Sequence, residues 1–554
     1  MQPVNAIPPE VRGLCQKGAS ALQAGRLQAA LKHLSAAAQK TPEAPGVLQL
    51  FADACHRAGE VMTALRLYDR VIQLGGATAS TWRATGNALS DVGEYAQAIG
   101  AFERAITLAP EDAESHQHLS RVLYRLGEID RAMVELEVAG RHTDSTAPWV
   151  SLATVVPGSP TASPERILEV RRDCARRLMQ AERRLPARPE VRRDAGPLLR
   201  IGYVSSWFHA ANYMKPVWGL IRHHDRSAFE IHLFSDSPLP EPAPAALCPE
   251  DRVHLTKHLD NRQLARRIAT LGIDVLVDLN AYSTPARLPL WLAPPAPVTV
   301  GWFNGFAPSG LPGFDHLVGD DAVIHQGDEA WFTETLLRLP LSYLTWEVPH
   351  PVPPVRPPPC VREGGFTFGS LVSQYKITPG VLDAWGRILR DAPTARLLLA
   401  NASLKSPHNQ AWLKERLAER SVREEQLILR GGAEHLDYLR NYDDIDVALD
   451  AFPYNGGTTT MEAVWQGVPV LTFSGDRWAS RTSCSILRDT HLGEFVAADV
   501  DGYVAKAIAL ASDPAVGECL LPMRMQMRER LATSRACDTA ELAREMEVLY
   551  RRIG

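Results

Sequence analysis

The sequence predicts an α-helical solenoid followed by two α/β units built on parallel sheets, and three observations carry that reading. Small residues recur at a fixed step through the first 144 positions. From Leu198 onward, short apolar runs alternate with helical patterns. A proline-rich run from Pro349 to Cys360 interrupts the alternation, which restarts behind it.

The repeat can be followed residue by residue. Gly25, Gly59, Gly93 and Gly127 stand 34 residues apart, and Ala30, Ala64, Ala98 and Ala132 keep the same step five residues later. That is the tetratricopeptide (TPR) period. Gly18, Ala52, Gly86 and Ser120 are small, as a close crossing of paired helices requires, while Leu34, Tyr68, Phe102 and Leu136 are expected to fill the next interface. One repeat cannot bury its apolar face alone, so the pairs stack into a superhelix whose concave side suits a protein or an extended peptide. Residues 1–144 are therefore read as a four-repeat TPR α-solenoid that holds a partner.

Behind it, Pro148, Pro157, Pro160 and Pro164 mark a Ser/Thr/Pro segment, and a charged helical stretch runs from Glu165 to about Arg184. A second Pro/Arg segment ends near Pro197, which makes 145–197 a connector. In 198–348, the runs LLRIGYVSS, FEIHLFSDS, DVLVDLN and PVTVGWF read as strands, with a helix around Asn261 to Leu271. The run 349–360 reads as a hinge. In 361–554, GFTFGSL, ARLLLAN, QLILRG, IDVALDAF and VPVLTF are the strands, and a helix closes the chain. Strands alternating with helices give two Rossmann-like units, whose ligand belongs in a cleft at the carboxyl ends of the strands.

Composition narrows the function classes. At 554 residues and 45% apolar content, the chain is long enough for three ordinary domains. A net charge of -5 with no long Lys/Arg run leaves no electrostatic footprint for nucleic acid. The eight cysteines are scattered without a CxxC pair, as buried thiols in a reducing compartment are. The start MQPVNAIPPEVRG lacks a basic and apolar leader pattern, and no apolar run approaches 18 residues. These features predict a cytoplasmic protein with no membrane partner.

The strongest chemical signal follows the strand IDVALDAF, where Pro453, Tyr454, Asn455, Gly456, Gly457, Thr458, Thr459 and Thr460 lead into the helix MEAVWQG. Backbone N–H groups are unpaired at a helix start, the dipole there is positive, and hydroxyls add donors, so the turn suits a diphosphate. An ordinary capped turn is the structural alternative. There is no GxxxxGK[ST] pattern and no early GxGxxG, which disfavours an NTPase and a dinucleotide dehydrogenase.

The run DAFPYNGGTTTMEAVWQGVPVLTFSG, with Ser480-Arg481 after it, resembles the nucleotide-sugar site of the O-GlcNAc transferase family, which includes plant Spindly-type enzymes and bacterial flagellin glycosyltransferases. LLRIGYVSSWF, VTVGWFNGFAPSGLPGFDHLVGDD and SQYKITPGVLDAWGRILRDAP match in the family's order. The resemblance implies a TPR superhelix joined to a GT-B enzyme of two lobes. It implies inverting transfer of a sugar from a nucleoside diphosphate, UDP foremost, to a Ser/Thr hydroxyl of a protein, with flagellin among the candidates. No cofactor is expected, and self-association is left open. Carried over by motif, Lys376 neutralises the donor diphosphate, Thr458 and Thr459 bind phosphate, and Glu462 takes the ribose. His435 and Tyr438 fall in the stretch that reads base and ribose.

Three positions depart from the family pattern. Ala211 stands where a histidine near the acceptor is expected, with His209 two residues earlier as a substitute. Gly457 and Ser373 replace a histidine and a glutamine of the animal enzymes. Asp444 and Asp446 have DxD spacing but enter a buried strand, so they are read as strand-start polarity and no metal is expected. Two alternatives stay open: a TPR scaffold with an inert nucleotide-binding half, and a sugar-nucleotide epimerase.

Overall fold

The computed structural model describes residues 7–182, 188, 198–240, 244–348 and 350–554. Contacts divide the chain into two units, one of Met1–Pro148 with Ser403–Lys414 and one of Trp149–Ala402 with Glu415–Gly554.

Among the described residues, the first unit pairs its helices in order: α1 (Pro9–Gln23), α2 (Leu27–Lys40), α3 (Pro45–Arg57), α4 (Val61–Gln73), α5 (Ala79–Asp91), α6 (Tyr95–Leu108), α7 (Ala113–Arg125) and α8 (Ile129–Arg141). The four periodic glycines end the first helix of each pair with φ of 70°, 83°, 81° and 88°, a left-handed conformation that costs a side chain dearly. Each turn closes through the same bond, from the N–H after the glycine to a carbonyl of the last helical turn: Arg26 to Ala21, Glu60 to Cys55, Glu94 to Leu89 and Glu128 to Leu123. Ala30, Ala64, Ala98 and Ala132 are all fully buried. The small and bulky positions share one interface, a correction to the expectation that the bulky residues fill the next one. A Cβ on Gly18 would stand 2.5 Å from Leu34, and one on Gly86 would stand 2.6 Å from Phe102.

The second unit opens with a helix at Ala147–Val155, where the sequence reads as a proline-rich connector. Its one proline, Pro148, sits in the first turn, where no helical hydrogen bond is lost. The charged helix spans Pro164–Ala181 and is capped by Ser163, whose side chain accepts from the Arg166 N–H. Behind this helix, the expected connector lies outside the described residues apart from Glu182 and Arg188.

Two parallel sheets follow. The first holds β1 (Leu199–Ser205), β2 (Phe229–Ser235), β3 (Arg252–Leu255), β4 (Val275–Asp278), β5 (Val298–Gly301), β6 (His316–Asp320) and β7 (Thr335–Leu339), in the order β3-β2-β1-β4-β5-β6-β7. The second holds β8 (Thr367–Ser370), β9 (Arg396–Ala400), β10 (Leu427–Arg430), β11 (Val447–Leu449), β12 (Val470–Phe473) and β13 (Val496–Ala497), in the order β10-β9-β8-β11-β12-β13. Strands covered by helices read as apolar runs, and the runs named above became β1, β2, β4, β5 and β8 to β12, whereas β3, β6, β7 and β13 are strands the sequence reading does not name. β3 is an edge strand with three of four residues exposed, so RVHL carries no such run.

Both sheets reverse direction beside their first strand, between β1 and β4 and between β8 and β11. Ligands of open α/β sheets bind outside the carboxyl ends of the strands at such points. The last helix, Thr539–Ile553, packs on the first lobe: Glu547 bonds His224 Nδ1 at 3.0 Å and the Asp225 N–H at 2.8 Å, and the Tyr550 and Tyr203 hydroxyls meet at 3.1 Å. No helix among the described residues is long and apolar enough to cross a membrane, and all eight cysteines are free.

Candidate active site

The two loops at the β8/β11 crossing build one wall of the site. Asp450, just past β11, is buried, and burial raises its carboxyl pKa against the pull of the Gly456 N–H. Its Oδ1 accepts from the N–H groups of Gly456 (2.7 Å) and Ala451 (2.9 Å), and its Oδ2 from Thr472 Oγ1 (2.8 Å). A single carboxylate thus fixes the turn. Gly456 is obligatory there, since a Cβ would stand 2.5 Å from Thr460 Oγ1 and 2.7 Å from Thr459 Oγ1. A Cβ on Gly457 would meet nothing within 4 Å. Asn455 is turned inward: its Nδ2 donates to the Ala451 carbonyl at 2.8 Å and its Oδ1 accepts from the Ser483 N–H at 3.3 Å.

Lys376 comes from the opposite loop, after β8. Its half-buried ammonium donates to the Asn455 carbonyl at 2.6 Å and sits 4.0 Å from the centroid of Tyr454. Desolvation pushes its pKa down to about 8, with Asp450 pulling the other way. A cation held by one carbonyl and a ring face, with no paired carboxylate among the described residues, retains charge for an anionic ligand.

Helix Thr458–Trp465 starts from this turn, and Gly457 at its N-cap supplies no side-chain cap. The Thr458 and Thr459 hydroxyls and N–H groups have no partner among the described residues. Thr460 differs, because its buried hydroxyl bonds Ser483 Oγ at 2.9 Å. The glycine turn, two free threonines and Lys376 therefore converge, while Thr460 and the Asn455 side chain serve the loop.

Glu462 lies one turn further along the helix and is buried. His435 Nδ1 is 4.0 Å from its Oε1, and desolvation lowers the His435 pKa while Glu462 opposes the shift. His435 Nε2 is buried without a partner. Tyr438 donates from its hydroxyl to the Leu371 carbonyl at 2.5 Å, which places its ring beside the β8 loop. Three residues absent from the sequence expectations join this group. Asn212 Nδ2 donates to Glu462 Oε1 at 2.6 Å, and His350 Nε2 lies 3.1 Å from Asn212 Oδ1. Lys215 is buried, its pKa lowered by desolvation against the attraction of Glu462. No motif spacing marks these three, because Asn212 and Lys215 come from the other lobe and His350 from the proline-rich run between the sheets.

His209 is exposed, bonds Ser237 Oγ at 2.9 Å and stacks on Trp207 at 6.0 Å. No contact among the described residues joins it to the Lys376 or Glu462 groups. The residue of its loop that reaches the second lobe is Asn212. Ala211 is exposed between them. Asp446 accepts from the N–H groups of Cys360 (2.9 Å) and Thr367 (2.8 Å), and Asp444 pairs with Arg430 at 2.8 Å, so the DxD pair is occupied in joining strand starts.

The lobes meet where the Phe306 and Tyr454 rings pack at a tilt, with centroids 4.8 Å apart, and where the buried Arg481 bonds Asp328. Two doubly wound lobes, each with its strand order reversing beside its first strand, make the GT-B class of glycosyltransferase fold. Comparison with known proteins gives the family. The profile of glycosyl transferase family 41 matches residues 179–348 and 361–546, and tetratricopeptide repeat profiles match 15–78 and 89–154. The chain belongs to glycosyl transferase family 41. It is 30% identical over 399 residues to the probable UDP-N-acetylglucosamine–peptide N-acetylglucosaminyltransferase SPINDLY of Solanum lycopersicum, covering 70% of this chain and 42% of that one. The Arabidopsis thaliana SPINDLY is 30% identical over 400 residues, covering 70% and 43%. The chain thus spans about two-fifths of the length of these curated relatives. Among solved structures, a mutant of the Thermobaculum terrenum O-GlcNAc transferase aligns over 100% of this chain and 98% of that one, with TM-score 0.75 and 28% identity.

Proposed function

We propose that this protein is an inverting protein O-glycosyltransferase that moves a sugar from a nucleoside-diphosphate sugar, UDP-linked in the first instance, to a Ser/Thr hydroxyl of a protein held by the TPR repeats. The observation that carries the reading is the convergence of Lys376 with the free donors of Thr458 and Thr459 around a turn fixed by Asp450. Family membership and the UDP-sugar activities named for the relatives support it.

In this reading the diphosphate lies on the helix start and against Lys376, with Glu462 accepting the ribose hydroxyls and His435 and Tyr438 flanking ribose and base. The acceptor oxygen attacks the anomeric carbon as the bond to the diphosphate breaks. The electron pair leaves on the phosphate oxygen, where Lys376 and the helix dipole stabilise it. The acceptor proton passes to water or to the leaving phosphate, because His209 is turned to Ser237 and Ala211 carries no base. A side-chain base contributes about a hundredfold to ten-thousandfold, so transfer proceeds without one, only more slowly.

Intact-mass measurement of candidate acceptor proteins, flagellin first, co-expressed with this chain and several nucleotide sugars, tests the proposal. A mass increment equal to one sugar residue supports it and identifies the sugar. No increment on any acceptor, together with no donor hydrolysis, contradicts it.

A further inference from the structure

Glu462 is the residue assigned above to the ribose, and its carboxylate is also one of the points where the first lobe reaches the second. Asn212, in the loop after β1, donates to its Oε1 at 2.6 Å. The Asn212 Oδ1 can only accept, so His350 Nε2 is the donor across their 3.1 Å contact. The amide is therefore gripped on both sides, by the hinge and by the second lobe. Glu462 is 6% exposed and has no hydrogen bond to Oε2 among the described residues. Lys215 is 2% exposed, makes no hydrogen bond or ion pair among the described residues, and is attracted to the same carboxylate.

A vicinal diol binds a carboxylate through both oxygens, one hydroxyl to each. One oxygen of Glu462 is already taken by the Asn212 amide. We propose that Asn212 and the donor ribose compete for Glu462: Asn212 is a positioning residue that holds the carboxylate in the free protein and yields it when a nucleotide with both ribose hydroxyls enters. This rests on the reading of Glu462 as the ribose acceptor. The exchange ties ribose recognition to the bridge between the lobes, since the amide that is displaced belongs to the first lobe and its other side to the hinge.

Two consequences separate this role from a structural one. Removing the amide should make nucleotide binding tighter, whereas losing a merely structural contact would weaken it or leave it unchanged. The gain should also depend on the diol, because a ribose with one hydroxyl can use Oε2 and leave Asn212 in place.

The test is calorimetric titration of the full chain with UDP and with 2′-deoxy-UDP, for wild type, Asn212→Ala and His350→Ala, with thermal melts to establish that each variant is folded. Asn212→Ala is expected to bind UDP about tenfold tighter, the scale of one charge-assisted hydrogen bond no longer displaced, and to gain much less for 2′-deoxy-UDP. His350→Ala, which loosens the amide from its far side, should move in the same direction by less, and it carries the test if Asn212→Ala does not fold. A wild type that prefers UDP over 2′-deoxy-UDP, with Asn212→Ala unchanged or weaker for UDP, overturns the competition while leaving the ribose assignment standing. Equal binding of the two nucleotides by folded Asn212→Ala, where nothing competes for the carboxylate, overturns the ribose assignment itself.

Discussion

The Lys376 ammonium donates to the Asn455 carbonyl at 2.6 Å, which ties the loop after β8 to the glycine turn after β11. The bond holds the cation at the helix start without neutralising it. Replacing Lys376 with Ala should lower transfer by about a hundredfold or more, the usual scale for a charge-stabilising group, while the protein still folds. Steady-state kinetics alongside a thermal melt reads both, and unchanged turnover removes the leaving-group assignment.

The same residue sets a pH dependence. Its pKa is depressed to about 8 by desolvation, so the neutral amine forms within an accessible range. A diphosphate prefers the ammonium; below this pKa the charge is already present, and above it binding must take up a proton. UDP affinity should therefore be flat just below pH 8 and fall by about tenfold per unit above it, with Lys376→Ala flat across that window. Calorimetry at several pH values tests the sign, and affinity that rises with pH refutes it.

The three threonines should separate into two classes. Thr458→Val with Thr459→Val removes the unpartnered hydroxyls and should abolish UDP binding with little change in melting. Thr460→Val removes the bond to Ser483 and should cost about 1 kcal/mol of stability with affinity retained. Binding lost through Thr460 alone would mean the turn is differently organised.

Much of this could be read from the chain because the solenoid and the inner strands are periodic. The 34-residue glycines needed only a left-handed turn to be recognised, and IDVALDAF needed only burial on both faces. What stayed hidden lacks a long apolar run or periodicity: β3 is an exposed edge, β6 ends in Gly319 and Asp320, β7 is broken by Arg338, β13 has two residues, Ala147–Val155 is a helix whose proline sits harmlessly in its first turn, and Asn212, Lys215 and His350 matter only because two lobes meet. His209 shows the converse. Its sequence position next to the missing histidine suggested a substitute, but the loop turns it toward Ser237, and Asn212 takes the inner place.

The glycine pair at the turn gives a sharp contrast. Gly456→Ala would drive a Cβ to 2.5 Å from Thr460 Oγ1 and 2.7 Å from Thr459 Oγ1, so it should lose UDP binding and melt lower. Gly457→Ala points into open space and should keep both properties near wild type. Equal effects from the two would contradict the turn geometry.

In the solenoid, Gly86→Ala places a methyl group 2.6 Å from the Phe102 ring and should destabilise by about 1–3 kcal/mol, the cost of overpacking. Gly100→Ala, on the exposed face of α6 with nothing within 4 Å, should stabilise by about 1 kcal/mol through helix propensity. Chemical denaturation distinguishes the opposite signs.

Every role assigned to Lys376, Thr458, Thr459 and Glu462 requires a bound nucleoside diphosphate, so titration of the 554-residue chain with UDP is the decisive measurement. The account predicts saturable binding by wild type that is weakened in Lys376→Ala and lost in the Thr458→Val/Thr459→Val pair, with all three proteins folded. Failure of folded wild type to bind UDP or any other nucleoside diphosphate would contradict it and leave the GT-B half as a scaffold.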